Sequence, residues 1–295
     1  MPNRLFAALA GALALLAATP AAAYWEYGHE SVARIAWEQM RPSTRAKVAA
    51  LLRQGRSVET PDCPINTLET ASVWADCVRP LERFNYTAPW HYQNVDVCKP
   101  FDLKGPCRDG NCVSAQVERN ARLLADAKVP TREKVIALAN LIHFVGDLHQ
   151  PMHAGDHGDL GGNRVAANYG LIGGRTNLHS IWDGWLAERA ITTPPAGPSK
   201  LLAAIAPAER ERIAGGTVEE WSREMWAKSR DLAYKTTVGD PCGTVAPGRP
   251  VLDEAEVQAL IPLVRENVTA GGLRLARLLD DALGPEGKAP PARRN

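Results

Sequence analysis

Apolar positions recur along most of the chain at helical rather than strand spacing. Val32, Ile35, Ala36 and Met40 fall on one face of a first helix, and Val48, Leu51 and Leu52 on one face of a second that ends at Gly55. A third helix is predicted from Thr131 to about Gln150, with Val135, Ile136, Ala139, Ile142 and Val145 turned inward. Pro151 should stop it, because the residue before a proline is pushed out of the α region. Two capping pairs, Thr217 with Glu220 and Asp253 with Glu256, open further helices. The first carries Trp221 and Trp226. The second runs to about Asp281 with Leu260, Ile261, Val264, Val268, Leu275 and Leu278 on its apolar side, although Pro262 and Gly271-Gly272 should bend or break it. Alternating patterns are scarce. The glycine-punctuated stretch from Gly161 to Gly174, with Val165 and Tyr169 among polar residues, allows at most a short β-hairpin. The pattern predicts a mainly α fold.

The first residues form a separate unit. Arg4 precedes an apolar run from Leu5 to Ala18, and Ala21-Ala22-Ala23 supplies small residues for cleavage. The run is short of the roughly 20 apolar residues a spanning helix needs, so residues 1–23 are predicted to be a removed secretory signal. The mature chain would begin at Tyr24, form one domain over 24–283, and end in a frayed tail over 284–295, rich in glycine, proline and arginine. Losing Arg4 with the signal takes the 34 basic residues to 33, against 33 acidic ones. A balanced chain lacks the cationic field that grips duplex backbone, so any attraction for phosphate must come mainly from bound cations. Six cysteines, an even set in an exported chain, favour three disulfides. No C-x-x-C pair offers a zinc-thiolate site, and residue spacing alone leaves fifteen pairings open. A monomer without stable membrane association is expected, since no exposed apolar anchor is evident.

Chemistry concentrates in the histidines. There are seven, and four of them stand with aspartates in the series His91, His143, Asp147, His153, His179, Asp183, with a fifth, His29, just past the predicted cleavage site. His143/Asp147 and His179/Asp183 are each four apart, which puts both side chains of a pair on one helical face, and imidazole and carboxylate suit zinc. One such pair is more often an ordinary hydrogen bond. Two, with His153 between them, point to ligation. His149 and His153 form an H-x-x-x-H, but Gln150 and Pro151 stand where a zinc protease needs glutamate and unbroken helix. His149 is left as a helix-end residue or a ligand's partner, and His157 as a solvated loop histidine.

Eight segments carry a resemblance: Tyr24…Gly28-His29, Trp74-Ala75-Asp76-x-x-Arg79, His91-Tyr92, His143-Phe144-Val145-Gly146-Asp147, Gln150-Pro151-Met152-His153, Gly161-Gly162-Asn163, Asn177-Leu178-His179-x-x-Trp182-Asp183, and Gly271-Gly272-Leu273-Arg274-Leu275-Ala276. In this order, over nearly the whole mature chain, the sequence resembles the zinc-dependent single-strand-specific nucleases and 3′-nucleotidases of the mung-bean type. The resemblance implies a single-domain helical phospholipase C/nuclease-like fold with a cleft for three Zn2+. One zinc would be held by Asp76, His91, His143 and Asp147. A second would share Asp147 and take His29 with the α-amine and carbonyl of Tyr24, and a third would be held by His153, His179 and Asp183.

It implies further that a hydroxide attacks phosphorus in line, with Asp76 orienting the nucleophile and Arg79 neutralising charge on the phosphoryl oxygens. Tyr92 would stack on a base, Asn94 would read its edge, and Asn163 would add a hydrogen bond. Substrates would be single-stranded DNA, RNA and 3′-mononucleotides, cut to 5′-phosphorylated products by a secreted or periplasmic enzyme. By the same resemblance Cys107 pairs with Cys112 and Cys98 with Cys242, leaving Cys63 with Cys77. The chain departs from the family pattern at Tyr24, where tryptophan is common, and at Asn94, where some relatives have aspartate. The nearest alternative is a zinc phospholipase C, which shares fold and cluster.

Overall fold

A computed structural model describes residues 25–244, 248–285 and 287–290. The predicted signal, Tyr24 and the last five residues lie outside the described part.

The centre of the molecule is the Thr131–Leu148 helix, whose residues from Ala137 to Leu148 are all buried. A helix apolar on every side belongs in a core, and Glu26–Gln39, Val113–Ala125 and Glu254–Leu283 pack around it. The few polar residues it does bury, Asn140, His143 and Asp147, therefore stand out. As expected, the helix ends just before Gln150, which is extended ahead of Pro151 (φ −96°, ψ 114°). Pro151 then opens a four-residue helix, Pro151–Ala154, where a missing N–H costs nothing. The segment predicted to end at Gly55 forms Pro42–Leu52, and both predicted capping boxes are made, Thr217 on Val218–Lys228 and Asp253 on the last helix.

Two expectations need correction. The last helix runs unbroken for 30 residues through Pro262 and Gly271-Gly272. The glycines sit where it crosses the first helix: a Cβ on Gly272 would lie 2.4 Å from Ile35 Cγ2, and one on Gly271 3.2 Å from His149 Cγ. They are gaps for close approach, and packing overrides their low helix propensity. The second correction concerns the hairpin. Within 161–174 only the Tyr169–Ile172 bridge forms, and the strand Asn168–Tyr169 pairs in parallel with Val251–Leu252. Glycines at 170, 173 and 174 leave little for a second strand to pack. The other strand pair, also parallel, joins Val95–Asp96 to Gly155–Asp156. Otherwise the described chain is mainly helical, as the periodicity predicts.

Three disulfides, Cys63–Cys77, Cys98–Cys242 and Cys107–Cys112, use all six cysteines. That is the arrangement of an oxidising compartment. No described helix is long and apolar enough to cross a membrane.

Candidate metal centre

Seven elements bring ligand-type side chains to one place. Glu26–Gln39 carries His29, Trp74–Val78 carries Asp76, and a 3-10 stretch, Glu82–His91, ends on His91. The central helix carries His143 and Asp147, and Pro151–Ala154 carries His153. His179 lies on a short turn, Leu178–Ser180, opened by a capping box from Asn177, and Asp183 follows on a π-helical turn, Ile181–Trp185. Three groups result, in each of which one ligand atom per residue lies within 4.8 Å of the others: His29, His143 and Asp147; Asp76, His91 and His143; His153, His179 and Asp183.

Asp147 is the hub and is wholly buried. Its Oδ2 lies 3.0 Å from His91 Nδ1 and 3.2 Å from His143 Nε2. Its Oδ1 lies 3.2 Å from His153 Nδ1 and 3.6 Å from His29 Nε2. Asp76 reaches His91 Nδ1 at 3.5 Å and His143 Nε2 at 3.8 Å, while Arg79 Nη1 stands 3.3 Å from its Oδ1. In the third group Asp183 Oδ1 is 3.2 Å from His153 Nε2, and Oδ2 is 3.0 Å from His179 Nε2.

The rings are aimed from behind. Nδ1 of His143 donates to Ser72 O, that of His153 to His91 O and that of His179 to Gly161 O, each at 2.7 Å. A ring that donates through Nδ1 presents a lone pair at Nε2, which is how proteins prepare metal-binding imidazoles. Backbone of 91–93 and His153 bond reciprocally, since Gln93 N–H donates to His153 O at 2.8 Å.

Electrostatics ask for positive charge here. Burial opposes ionisation of Asp147, yet His143 and His153 hold its carboxyl well below the usual range. Burial likewise opposes protonation of His153, but Asp147 and Asp183 raise it well above the ordinary imidazole value. Burial lowers His91. Protons alone satisfy the set poorly: Asp76 Oδ1, Asp147 Oδ1, His153 Nε2 and Asp183 Oδ2 are buried without a well-directed hydrogen bond. Buried carboxylates and imidazole lone pairs left unpaired this way fit divalent cations.

All eight described ligand candidates are thus brought together, while Tyr24 lies outside the described residues. Trp25 is described: its N–H donates to Asp183 O at 3.0 Å and its indole fills the space over Gly184, where a Cβ would come within 2.1 Å of the ring. Gly146 has a similar role, since a Cβ there would lie 2.5 Å from His29 Nδ1. Sequence reasoning includes Gly146 only as spacing and misses Gly184. Tyr92 is exposed beside His91, and Asn94 adopts a left-handed backbone (φ +46°). Asn163 is an exposed turn residue whose side-chain amide donates to Leu160 O at 2.8 Å. His149 is buried, donates to Val145 O, faces Arg274 Nη1 at 2.9 Å, and is held neutral, its pKa lowered to about 3 by burial and then by that guanidinium. Sequence reasoning places Gln150 in a motif but gives it no role; its side-chain amide donates to Asp183 and accepts from Met152 N–H.

A mainly helical chain thus gathers, beside one buried aspartate, three His/Asp groups that could each hold a metal ion. Residues 24–284 match the model of the S1/P1 nuclease family, and the chain belongs to that family, hydrolases of phosphodiester bonds. Endonuclease 2 of Arabidopsis thaliana is 26% identical, over 92% of this chain and 94% of its own. Nuclease S1 of Aspergillus oryzae is 28% identical over 75% of this chain and 74% of its own, and nuclease P1 of Penicillium citrinum 23% over 88% and 97%. Among solved structures, alpha toxin from Clostridium absonum has the same fold, with TM-score 0.50 and 14% identity over 89% of this chain and 67% of the toxin.

Proposed function

We propose that this nuclease is a secreted or periplasmic zinc enzyme that cuts single-stranded DNA and RNA to 5′-phosphorylated products and removes phosphate from 3′-mononucleotides. The observation that carries the reading is Asp147, one buried carboxylate touched by four imidazoles, with Asp76 and Asp183 on either side. Three zinc ions suit this donor set: one on Asp76, His91, His143 and Asp147, one on Asp147, His29 and the backbone of Tyr24 after removal of residues 1–23, and one on His153, His179 and Asp183. Bound zinc would supply positive charge for phosphate oxygens and a deprotonated water at neutral pH.

The remaining roles fall to side chains. Asp76 is only 12% exposed, and its carboxylate faces both the histidines and Arg79, so it can accept a proton from the nucleophile and hold it in line. Arg79, 22% exposed and held beside Asp76 by an ion pair, would neutralise charge that develops on the phosphoryl oxygens. Tyr92 offers an exposed ring for stacking on a base, and Asn94 and Asn163 would supply hydrogen bonds to it. Preference for single strands follows from recession: the ligand side chains are at most 12% exposed, and a phosphate in a stiff duplex reaches such a cluster only if the strand splays. The protein acts as a monomer, without stable membrane association.

The test is parallel hydrolysis of single-stranded DNA, RNA, a 3′-mononucleotide and phosphatidylcholine by protein with residues 1–23 removed, with product ends identified and a chelated control. Zinc-dependent release of 5′-phosphorylated nucleotides with lipid untouched is expected. Cleavage of lipid without nucleic acid, or full activity in excess chelator, overturns the proposal.

A further inference from the structure

One network beside the third metal-ligand group has no part in the reading above. Asp156 and Asp159 flank His157 in the loop that leads to Gly161-Gly162. Asp156 Oδ1 accepts the backbone N–H of Asp159 at 3.0 Å and of Gly161 at 2.8 Å. Asp159 Oδ1 accepts the N–H of Gly162 at 2.6 Å and the hydroxyl of Tyr234, also at 2.6 Å. Both glycines have positive φ (+59° and +81°), and a Cβ on Gly161 would lie 2.4 Å from Met152 O. The loop is therefore bent into a shape open to glycine, and two carboxylates hold it there.

The product of that bend is one carbonyl, Gly161 O, which accepts from His179 Nδ1 at 2.7 Å. The contrast with His143 is instructive. His143 is wholly buried and bonds to Ser72 O, part of the Leu68–Ser72 helix, so packing and regular structure fix its ring. His179 stands on a three-residue turn, is 12% exposed, and has a loop carbonyl behind it. Its orientation depends on whatever fixes that loop. Tyr234, fully buried at the end of the π-helical turn Ser229–Tyr234, ties the loop to the body of the protein. π-turns recur where a side chain has to be re-aimed at a functional site.

We propose that Asp156, Asp159 and Tyr234 are positioning residues for His179: they set the Gly161 carbonyl that locks its ring with Nε2 facing Asp183. The proposal rests on the reading of His153, His179 and Asp183 as a zinc site. Partners that orient a ligand in this way change metal affinity by about 10- to 100-fold when removed.

Tyr234→Phe tests it, because the ring still fills its place and only the hydroxyl is lost. Zinc content of the full mature chain is followed by elemental analysis against chelators of graded strength, alongside the ring N–H resonances of the metal-free protein. One ion in the variant should be released about 10- to 100-fold more readily while the others stay as in the unmodified chain, and excess zinc should restore it. The His179 ring N–H should exchange faster, with those of His143 and His153 unchanged. Asp159→Asn, which keeps size and loses charge, should weaken the same ion and serves if the first variant does not fold. Retention of every ion at unmodified strength overturns the proposal, as does a uniform loss of all ions together with helical circular dichroism, which would mean a merely structural role. Failure of the metal reading shows earlier and differently: the unmodified chain would take up no ion at this group, and the positioning role falls with it.

Discussion

The two ends of the cleft are built by different means. Around Asp147 three of the ligands ride on long helices: His143 and Asp147 on an 18-residue helix buried from Ala137 onward, and His29 on one of 14 residues, while Asp76 and His91 sit on a five-residue helix and the end of a 3-10 stretch. Around Asp183 they ride on pieces of four, three and five residues, joined by glycine turns and tied down by side-chain hydrogen bonds. One end is rigid because it is core. The other is ordered by a network of individual polar contacts, and each of those contacts can be removed alone.

That comparison can be broken most severely at the hub. Asp147→Ala should release the ions of the first two groups and lower single-turnover cleavage of single-stranded DNA by about 10³-fold or more. Zinc content and rates measured together decide it; retention of near-normal activity would remove Asp147 from the centre. Exhaustive chelation should abolish cleavage, and zinc should restore it. Since ions bind only the folded chain, chelation should also lower unfolding free energy by about 4 kcal/mol where zinc had been supplied at about 10³ times its Kd. Asp76→Asn should leave zinc at the Asp183 end and the fold in place while cleavage drops about 10²- to 10³-fold. Equal loss of metal from both ends would erase the distinction between them.

Smaller effects sharpen the picture at the rigid end. Gly272→Ala forces a methyl onto Ile35, and overpacking of this kind costs about 1 to 3 kcal/mol, read as a lower urea midpoint with an unchanged slope. The smallest effect is in pH. Burial pushes the Glu224 carboxyl up, but Arg274 and Lys228 outweigh it and hold its pKa at about 2. A depressed carboxyl contributes stability that is present above its ordinary value and lost as pH falls toward 2. Glu224→Gln should therefore flatten the acid limb of the stability curve between about pH 4.5 and 2.

What the sequence made legible follows the same division. His143 and Asp147 could be paired from spacing alone because an α-helix has a fixed period, and Pro151 marked its end correctly. Thr217 and Asp253 announced their helices by capping chemistry that is local to four residues. His179 and Asp183 were paired by the same rule, although Asp183 lies on a π-turn; their 3.0 Å contact survives the change of helix type. The rest was decided by contacts remote in sequence. Gly271-Gly272 looks like a breaker until Ile35 is seen against it. Tyr234 has no mark that would connect it with Asp159, 75 residues earlier. The strand at Asn168–Tyr169 finds its partner at Val251–Leu252, which no hairpin rule could supply.

His153 joins the two ends. Its Nδ1 is 3.2 Å from Asp147 and its Nε2 is 3.2 Å from Asp183, so a flat, inflexible ring stands between the two carboxylates like a gauge block. The gap cannot widen or narrow while that ring stays put. The spacing between the two ends of the site is thus set by the width of one imidazole ring.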